Sequence, residues 1–262
     1  MYGLDLLERT ITLCLYSPYV CEEKPLSLLI IAKSGSGKSS VLEKFGNNAG
    51  VRILNQGTRY GMYTMIGNDG YSLKHFIIPD LSIVLGSHPG IAGDLIGLID
   101  TMVEEGISNI STYHFNKIFD PRLKIGLLTA VSDKDFNAHK SRLKKVGFVS
   151  RFIPFSYTYD KNTLEKVLGY IEEGSILKEK GVKLDLPKEP VVVECEAKYV
   201  RQFREFALNA QDWETRFLVQ MRILLKSCAL VHGRSKVNEE DVVEILKLVI
   251  YLNFNFNPIK VE

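Results

Sequence analysis

Apolar and polar positions along this chain follow two periods, and the change between them divides it. Leu4, Leu7, Ile11, Cys14 and Leu15 recur at helical spacing until Pro18 stops the run, which predicts a helix over 4–16. A polar linker, Cys21-Glu22-Glu23-Lys24-Pro25, leads to Leu28-Leu29-Ile30-Ile31-Ala32, an unbroken apolar run of strand length. A helix is expected to continue through Val41, Leu42 and Phe45 to Gly46, followed by a short strand at Val51–Leu54. Asn55–Asp69 is rich in glycine and small polar residues and reads as a loop with about one helical turn. Leu73–Ile78 predicts a buried strand that ends at Pro79-Asp80, and Leu95–Val103 a helix. Ile107–Phe115 alternates and suggests a hairpin, while Leu123–Val131 and Phe148–Tyr157 read as further strands. From Tyr159 onward nearly everything is helical, apart from a linker or edge strand at 184–195 with Pro187, Pro190 and Val191-Val192-Val193. Strands alternating with helices imply a mostly parallel sheet covered on both faces. The expected architecture is an α/β nucleotide-binding domain over 1–158 and an all-α domain over 159–262.

The junction at Lys33-Ser34-Gly35-Ser36-Gly37-Lys38-Ser39-Ser40 carries the most specific chemistry. It fits G-x-x-x-x-G-K-[ST], the loop that cradles phosphates between a strand and a helix, except that Ala32 replaces the first glycine. Gly35 and Gly37 permit positive φ and bring backbone N–H groups close to an anion. Lys38 would reach the β- and γ-phosphates, Ser39 would offer its hydroxyl to Mg²⁺, and the following helix adds its positive end. Ser34, Gly35, Ser36, Gly37, Lys38, Ser39 and Ser40 are thus the expected nucleotide-binding set. Ala32 suits the turn if its φ stays negative. The bland alternative is a chance glycine-serine loop.

A metal held at such a loop calls for an acid on a neighbouring strand end, and Asp80 is the candidate, binding Mg²⁺ through water. A turn-forming Asp is the alternative reading. The next position, where an acid that orients water is expected, is Leu81. Asp94, Glu104 and Glu105 are the nearest acids downstream, and no spacing ties them to a γ-phosphate. Slow hydrolysis, a substitute acid and binding without turnover all stay open. Thr129, a polar residue late in an apolar strand, is either a γ-phosphate or water sensor or a hydroxyl bonded to backbone. Lys134–Arg151 is a basic run whose default reading is a solvated helix face. Arg151 stands apart within Gly147-Phe148-Val149-Ser150-Arg151-Phe152, as a half-buried paired arginine or a fork held at a subunit edge for a neighbour's phosphate. Arg216 and Arg222 share one helix six residues apart, and one of them is expected to reach the nucleotide.

Composition narrows the partners only slightly. Apolar residues make up 45% and charged residues 24%, so a globular core is expected. Thirty-three basic against 31 acidic residues give a net charge of +2, too little for a global attraction to polyanions. The four cysteines lie far apart without metal or disulfide spacing. No signal peptide or membrane-length apolar run is seen, so a cytoplasmic location with no membrane partner is expected.

The order of these parts resembles the AAA+ ATPases, and within them the minichromosome maintenance helicases. Gly57-Thr58-Arg59-Tyr60-Gly61-Met62 is similar to a glycine-containing loop of that branch, Gly147–Phe152 to its Ser-Arg-Phe finger, and Arg216 with Val237-Asn238-Glu239-Glu240-Asp241-Val242 to its lid. The resemblance implies a P-loop NTPase core with a C-terminal helical lid, ATP and Mg²⁺ as cofactors, and a homo-oligomeric ring such as a hexamer. It implies that Lys38, Ser39 and Asp80 act within one subunit, that Thr129 senses, and that Arg151 serves the neighbour. Arg216 matches the lid arginine better than Arg222. Three departures weigh against a working helicase: Leu81, a hairpin with Thr112 near the place of a DNA-directed lysine, and no N-terminal oligonucleotide-binding domain. The expected function is an ATPase that remodels or translocates a nucleic-acid or protein client. The alternatives are a nucleotide-gated scaffold with little hydrolysis and, third, a small-molecule kinase.

Overall fold

The computed structural model describes residues 3–55, 58–113, 116–174, 181–210, 214–252 and 259–261. Gly57 and Phe115 of the sequence reading lie outside them. Helix α1 (Asp5–Tyr16) buries Leu7, Ile11, Cys14 and Leu15 as its spacing predicts. Strand β1 (Leu28–Ala32) is buried at every position, and α2 (Lys38–Glu43) begins at the phosphate-loop lysine. Next come β2 (Val51–Ile53) and α3 (Arg59–Asp69). Helix α3 replaces most of the loop expected over 55–69. Its two interior glycines dilute the helical signal, but the Thr58 side chain caps it by accepting the Gly61 N–H, and Met62 and Ile66 bury one face.

Strand β3 (His75–Ile78) is followed by the short helix α4 (Ser82–Leu85) and by α5 (Pro89–Asp100), which starts earlier than its apolar spacing indicated because His88 caps it and Pro89 occupies the first turn. A π-helical turn, Thr101–Glu105, extends α5. The hairpin is wider than expected: β4 (Ile107–Ser111) pairs antiparallel with β5 (Asn116–Leu123). Leu123 therefore belongs to the hairpin, and the buried strand is β6 (Gly126–Ser132), leading directly into α6 (Asp133–Lys145). A 3-10 turn at Val149–Arg151 precedes β7 (Ile153–Tyr159), so Arg151 lies before the strand rather than within it.

After β7 come helices α7 (Lys161–Glu172), α8 (Ala197–Arg201), α9 (Arg204–Leu208), α10 (Glu214–Val231) and α11 (Glu239–Val249), then the short strand β8 (Ile259–Val261). The segment near 184–195 forms two isolated bridges in its later part, Val20 with Val191 and Glu194 with Lys236. One apolar cluster runs through the strands and on to Phe217, Met221, Leu224, Ile245 and Leu248 of the late helices.

The sheet is parallel, in the order β2-β3-β6-β1-β7-β8. β6 therefore lies between β1 and β3, with Ala32 beside Ser132 and Ile78 beside Thr129. Because every strand runs the same way, the loop after Ala32 and the turn after Ile78 share one edge. The 3-10 turn of Arg151 lies at the other, since Ile153 pairs with Leu28 at the start of β1. Five residues of β1 separate the two edges by roughly 13 Å at about 3.3 Å per residue. Among the described residues no helix is long and apolar enough to cross a membrane.

Candidate functional site

The phosphate loop wraps one end of a cavity of about 780 Å³. Gly35 and Gly37 take φ of 74° and 86°, the left-handed conformation the motif requires, while Ala32 stays in the strand. Lys38 is buried, and its Nζ donates to the carbonyls of Ala32 and Lys33 at 2.8 and 2.6 Å. Burial lowers its pKa, opposed by the charges of Asp80, then Asp133 and Asp135. The loop is braced from behind: the hydroxyls of Tyr157 and Tyr159 donate to the Ser36 carbonyl at 2.9 and 3.0 Å. Burial raises both phenols, Tyr159 to about 12, so they act as donors throughout the physiological range.

Asp80 also lines the cavity. It is exposed, and its Oδ1 accepts the Ser82 N–H at 2.8 Å, an Asx turn that starts α4. Ser39 Oγ donates to the Pro79 carbonyl at 3.0 Å, which joins the loop to the end of β3. A serine hydroxyl and a solvent-facing carboxylate on adjoining elements are hard oxygen donors of the kind Mg²⁺ takes alongside its waters. The donor set fits that ion. Leu81, next along, is 0% exposed; its N–H donates to the Ala130 carbonyl at 2.7 Å and its side chain joins the core. No carboxylate reaches the cavity from that position.

The cavity also brings together residues that the sequence did not single out for chemistry. Ser82, Ser132, Asp133, Lys134 and Asp135 line it with Ser34–Ser40 and Asp80. Ser132 and Asp135 cap α6: Ser132 Oγ accepts the Asp135 N–H at 3.0 Å and donates to Asp135 Oδ2 at 2.7 Å. The Ser132 hydroxyl, and then that of Ser82, hold the Asp135 carboxyl below its usual range. The visible signal was Ser132-x-x-Asp135 directly after an apolar strand, a helix-start pattern hidden inside a basic run. On the other side of the loop, a second cavity of about 210 Å³ is walled by Tyr157, Tyr159 and the α7 residues Leu164, Val167, Leu168 and Ile171. Lys33–Ser36 border both. A polar chamber and an apolar one thus meet across a single loop, as a phosphate chain carrying a flat base would need.

Four predicted site residues lie elsewhere. Thr129 is 0% exposed, three positions below the edge of the sheet, and donates to the Ile78 carbonyl at 2.8 Å. Ser132 holds the edge position instead, beside Ala32. Arg222 does not reach the nucleotide cavity: its Nη2 donates to Glu23 Oε2 at 2.9 Å, and Lys226 takes the other oxygen at 2.8 Å, tying α10 to the linker after α1. Arg216 also misses the cavity and donates from Nη1 to Ser150 Oγ at 2.5 Å, on the edge remote from the phosphate loop. Beside it Arg151 donates to the Val146 and Gly147 carbonyls and lies 3.5 Å from Asp100 Oδ1. Burial lifts Asp100 to about 6 despite Arg151 and Arg216. The two arginines predicted for opposite duties therefore stand together. Neither protein-family models nor characterised proteins match the chain.

Proposed function

We propose that this protein is an AAA+ ATPase module that binds Mg·ATP at the Lys38 loop, assembles with copies of itself around the nucleotide, and remodels a nucleic-acid or protein client. One observation carries the reading. Lys38, Ser39 and Asp80 converge on one cavity at the edge where the buried strands β1 and β3 end, with β6 between them. The chemistry of the set is phosphate recognition by glycine N–H groups and an ammonium, with Mg²⁺ held by hard oxygens. The base would rest in the apolar chamber against α7. Arg151 and Arg216 stand too far from their own loop to serve it, which favours action on a neighbour's nucleotide.

The test is phosphate release from Mg·ATP by purified protein, with Lys38→Ala as background. Release that the variant abolishes supports the reading; nucleotide binding without release above that background sinks the ATPase. One observation favours the second reading, a nucleotide-gated scaffold: the position after Asp80 is a core leucine, so the ordinary source of a water-orienting acid is missing.

A further inference from the structure

We infer that Asp135, delivered by α6, is the acid that orients the attacking water, in place of the one missing after Asp80. The inference rests on the hydrolytic reading above. Two hydrogen bonds and a shared cavity carry it. The Ser82 N–H donates to Asp80 Oδ1 at 2.8 Å, which fixes the first residue of α4 beside the carboxylate expected at the metal. Ser82 and Asp135 both line the cavity, and the Ser82 hydroxyl, after that of Ser132, helps hold the Asp135 carboxyl low. Ser132 Oγ donates to Asp135 Oδ2 at 2.7 Å, so the side chain is held from the β6 side as well. Asp135 is therefore held at the start of α6, in the wall of the cavity that Lys38, Ser39 and Asp80 also line.

The other acid of α6 is placed differently. Asp133 accepts the Lys134 N–H at 2.9 Å and also borders a smaller cavity with Ala32, Ser156 and Tyr157, on the β1 and β7 side. It too lines the phosphate-loop cavity, but the Ser132 hydroxyl goes to Asp135. A capping carboxylate is common at a helix start, but a cap alone does not need a place in the wall of a phosphate-loop cavity.

In the step assigned to it, the water oxygen bonds to the γ-phosphorus. The bond from that phosphorus to the β–γ bridging oxygen breaks, and its electron pair leaves with ADP. A water proton passes to the Asp135 carboxylate and on to solvent. A loose transition state asks chiefly for a positioned water, so an acid held in a low pKa range is adequate.

The test compares Asp135→Asn, Asp133→Asn and Ser132→Ala with the wild type. Three quantities are read: affinity for a fluorescent ATP analogue, phosphate release, and affinity for ADP with aluminium fluoride, which mimics the phosphoryl group in transit. Asp135→Asn is expected to bind ATP within about threefold, to lose a hundredfold or more in turnover, and to lose its preference for ADP–aluminium fluoride over ADP. Ser132→Ala removes one of the contacts that hold Asp135 but keeps the carboxylate, so it is expected to lose turnover by a smaller factor than Asp135→Asn, as is Asp133→Asn. Wild-type turnover in Asp135→Asn overturns the inference, as does equal loss in Ser132→Ala and Asp135→Asn. ATP binding without hydrolysis in the wild type overturns it and leaves the nucleotide-gated reading standing. Absence of nucleotide binding removes the hydrolytic reading and this inference with it.

Discussion

Arg216 hydrogen-bonds the hydroxyl of Ser150, the residue immediately before Arg151, and so joins α10 to the turn that leads into β7. Two guanidinium groups from distant parts of the chain thus share one edge, opposite the phosphate loop. If they act on a neighbour, Arg151→Ala should leave ATP affinity unchanged and lower turnover by about a thousandfold or more. Mixing Lys38→Ala with Arg151→Ala subunits should restore phosphate release that neither shows alone. Absence of complementation at every mixing ratio would rule out action between subunits.

Gly147 holds this edge in shape. Its φ is 70°, and an added Cβ would meet Arg151 Nη1 at 2.9 Å. Gly147→Ala should cost about 1–2 kcal/mol through the left-handed backbone alone, read as a lower urea midpoint. Because the arginine head must also move, turnover should fall while ATP affinity holds.

Leu81 is a structural residue at a position where chemistry was expected. Placing a carboxylate there by Leu81→Glu should not create an active acid. The side chain lies wholly in the core, so the change should cost about 3 kcal/mol or more, because a buried charge must be desolvated or protonated. Chemical denaturation reads this. A stable Leu81→Glu protein with faster hydrolysis would contradict the packing described here.

His75 sets a lower pH limit on stability. Fully buried, it lies against the Leu26 carbonyl through Nε2, leaving Nδ1 without a hydrogen-bond partner. Burial lowers its pKa to about 4, with the nearby Lys74 charge pushing the same way. Between about 6.5 and 4 the unfolded chain binds the extra proton, so this contribution to stability is present at neutral pH and lost as pH falls through that window. Its full size is roughly 3 kcal/mol. Asp100 acts in the opposite sense. Its raised folded pKa, about 6, favours the folded state at low pH, and that contribution fades as pH rises through 6. Urea titrations from pH 4 to 7.5 should show a shallow net slope. His75→Gln should remove the acid loss and expose the reverse slope of Asp100.

The phosphate loop could be read from the sequence because all its parts are contiguous: an apolar strand, two glycines that need positive φ, a lysine and a helix start. Asp80 was legible for a similar reason, as the first acid after a buried strand. Asp135 was not, since its place with Asp80 in one cavity depends on β6 lying between β1 and β3. Strand order is a long-range property that local periodicity does not encode. Arg216 was misplaced because helical spacing reports the face of a helix, not the edge of the sheet against which the helix packs. Helix α3 was missed because a threonine cap and two buried side chains outweigh two glycines only once a sheet is there to cover.

The parallel direction of the sheet has a consequence for how copies could join. If Arg151 and Arg216 act on a neighbour's nucleotide as proposed, each chain carries an acceptor half-site on one rim and a donor half-site on the other, and the contact uniting them would be heterologous rather than two-fold symmetric. An open arc of n copies would contain n − 1 finished catalytic centres, with a bare loop at one terminus and an idle arginine pair at the other. Only closure removes both loose ends, and a rotation that fails to close would run on as a helical filament.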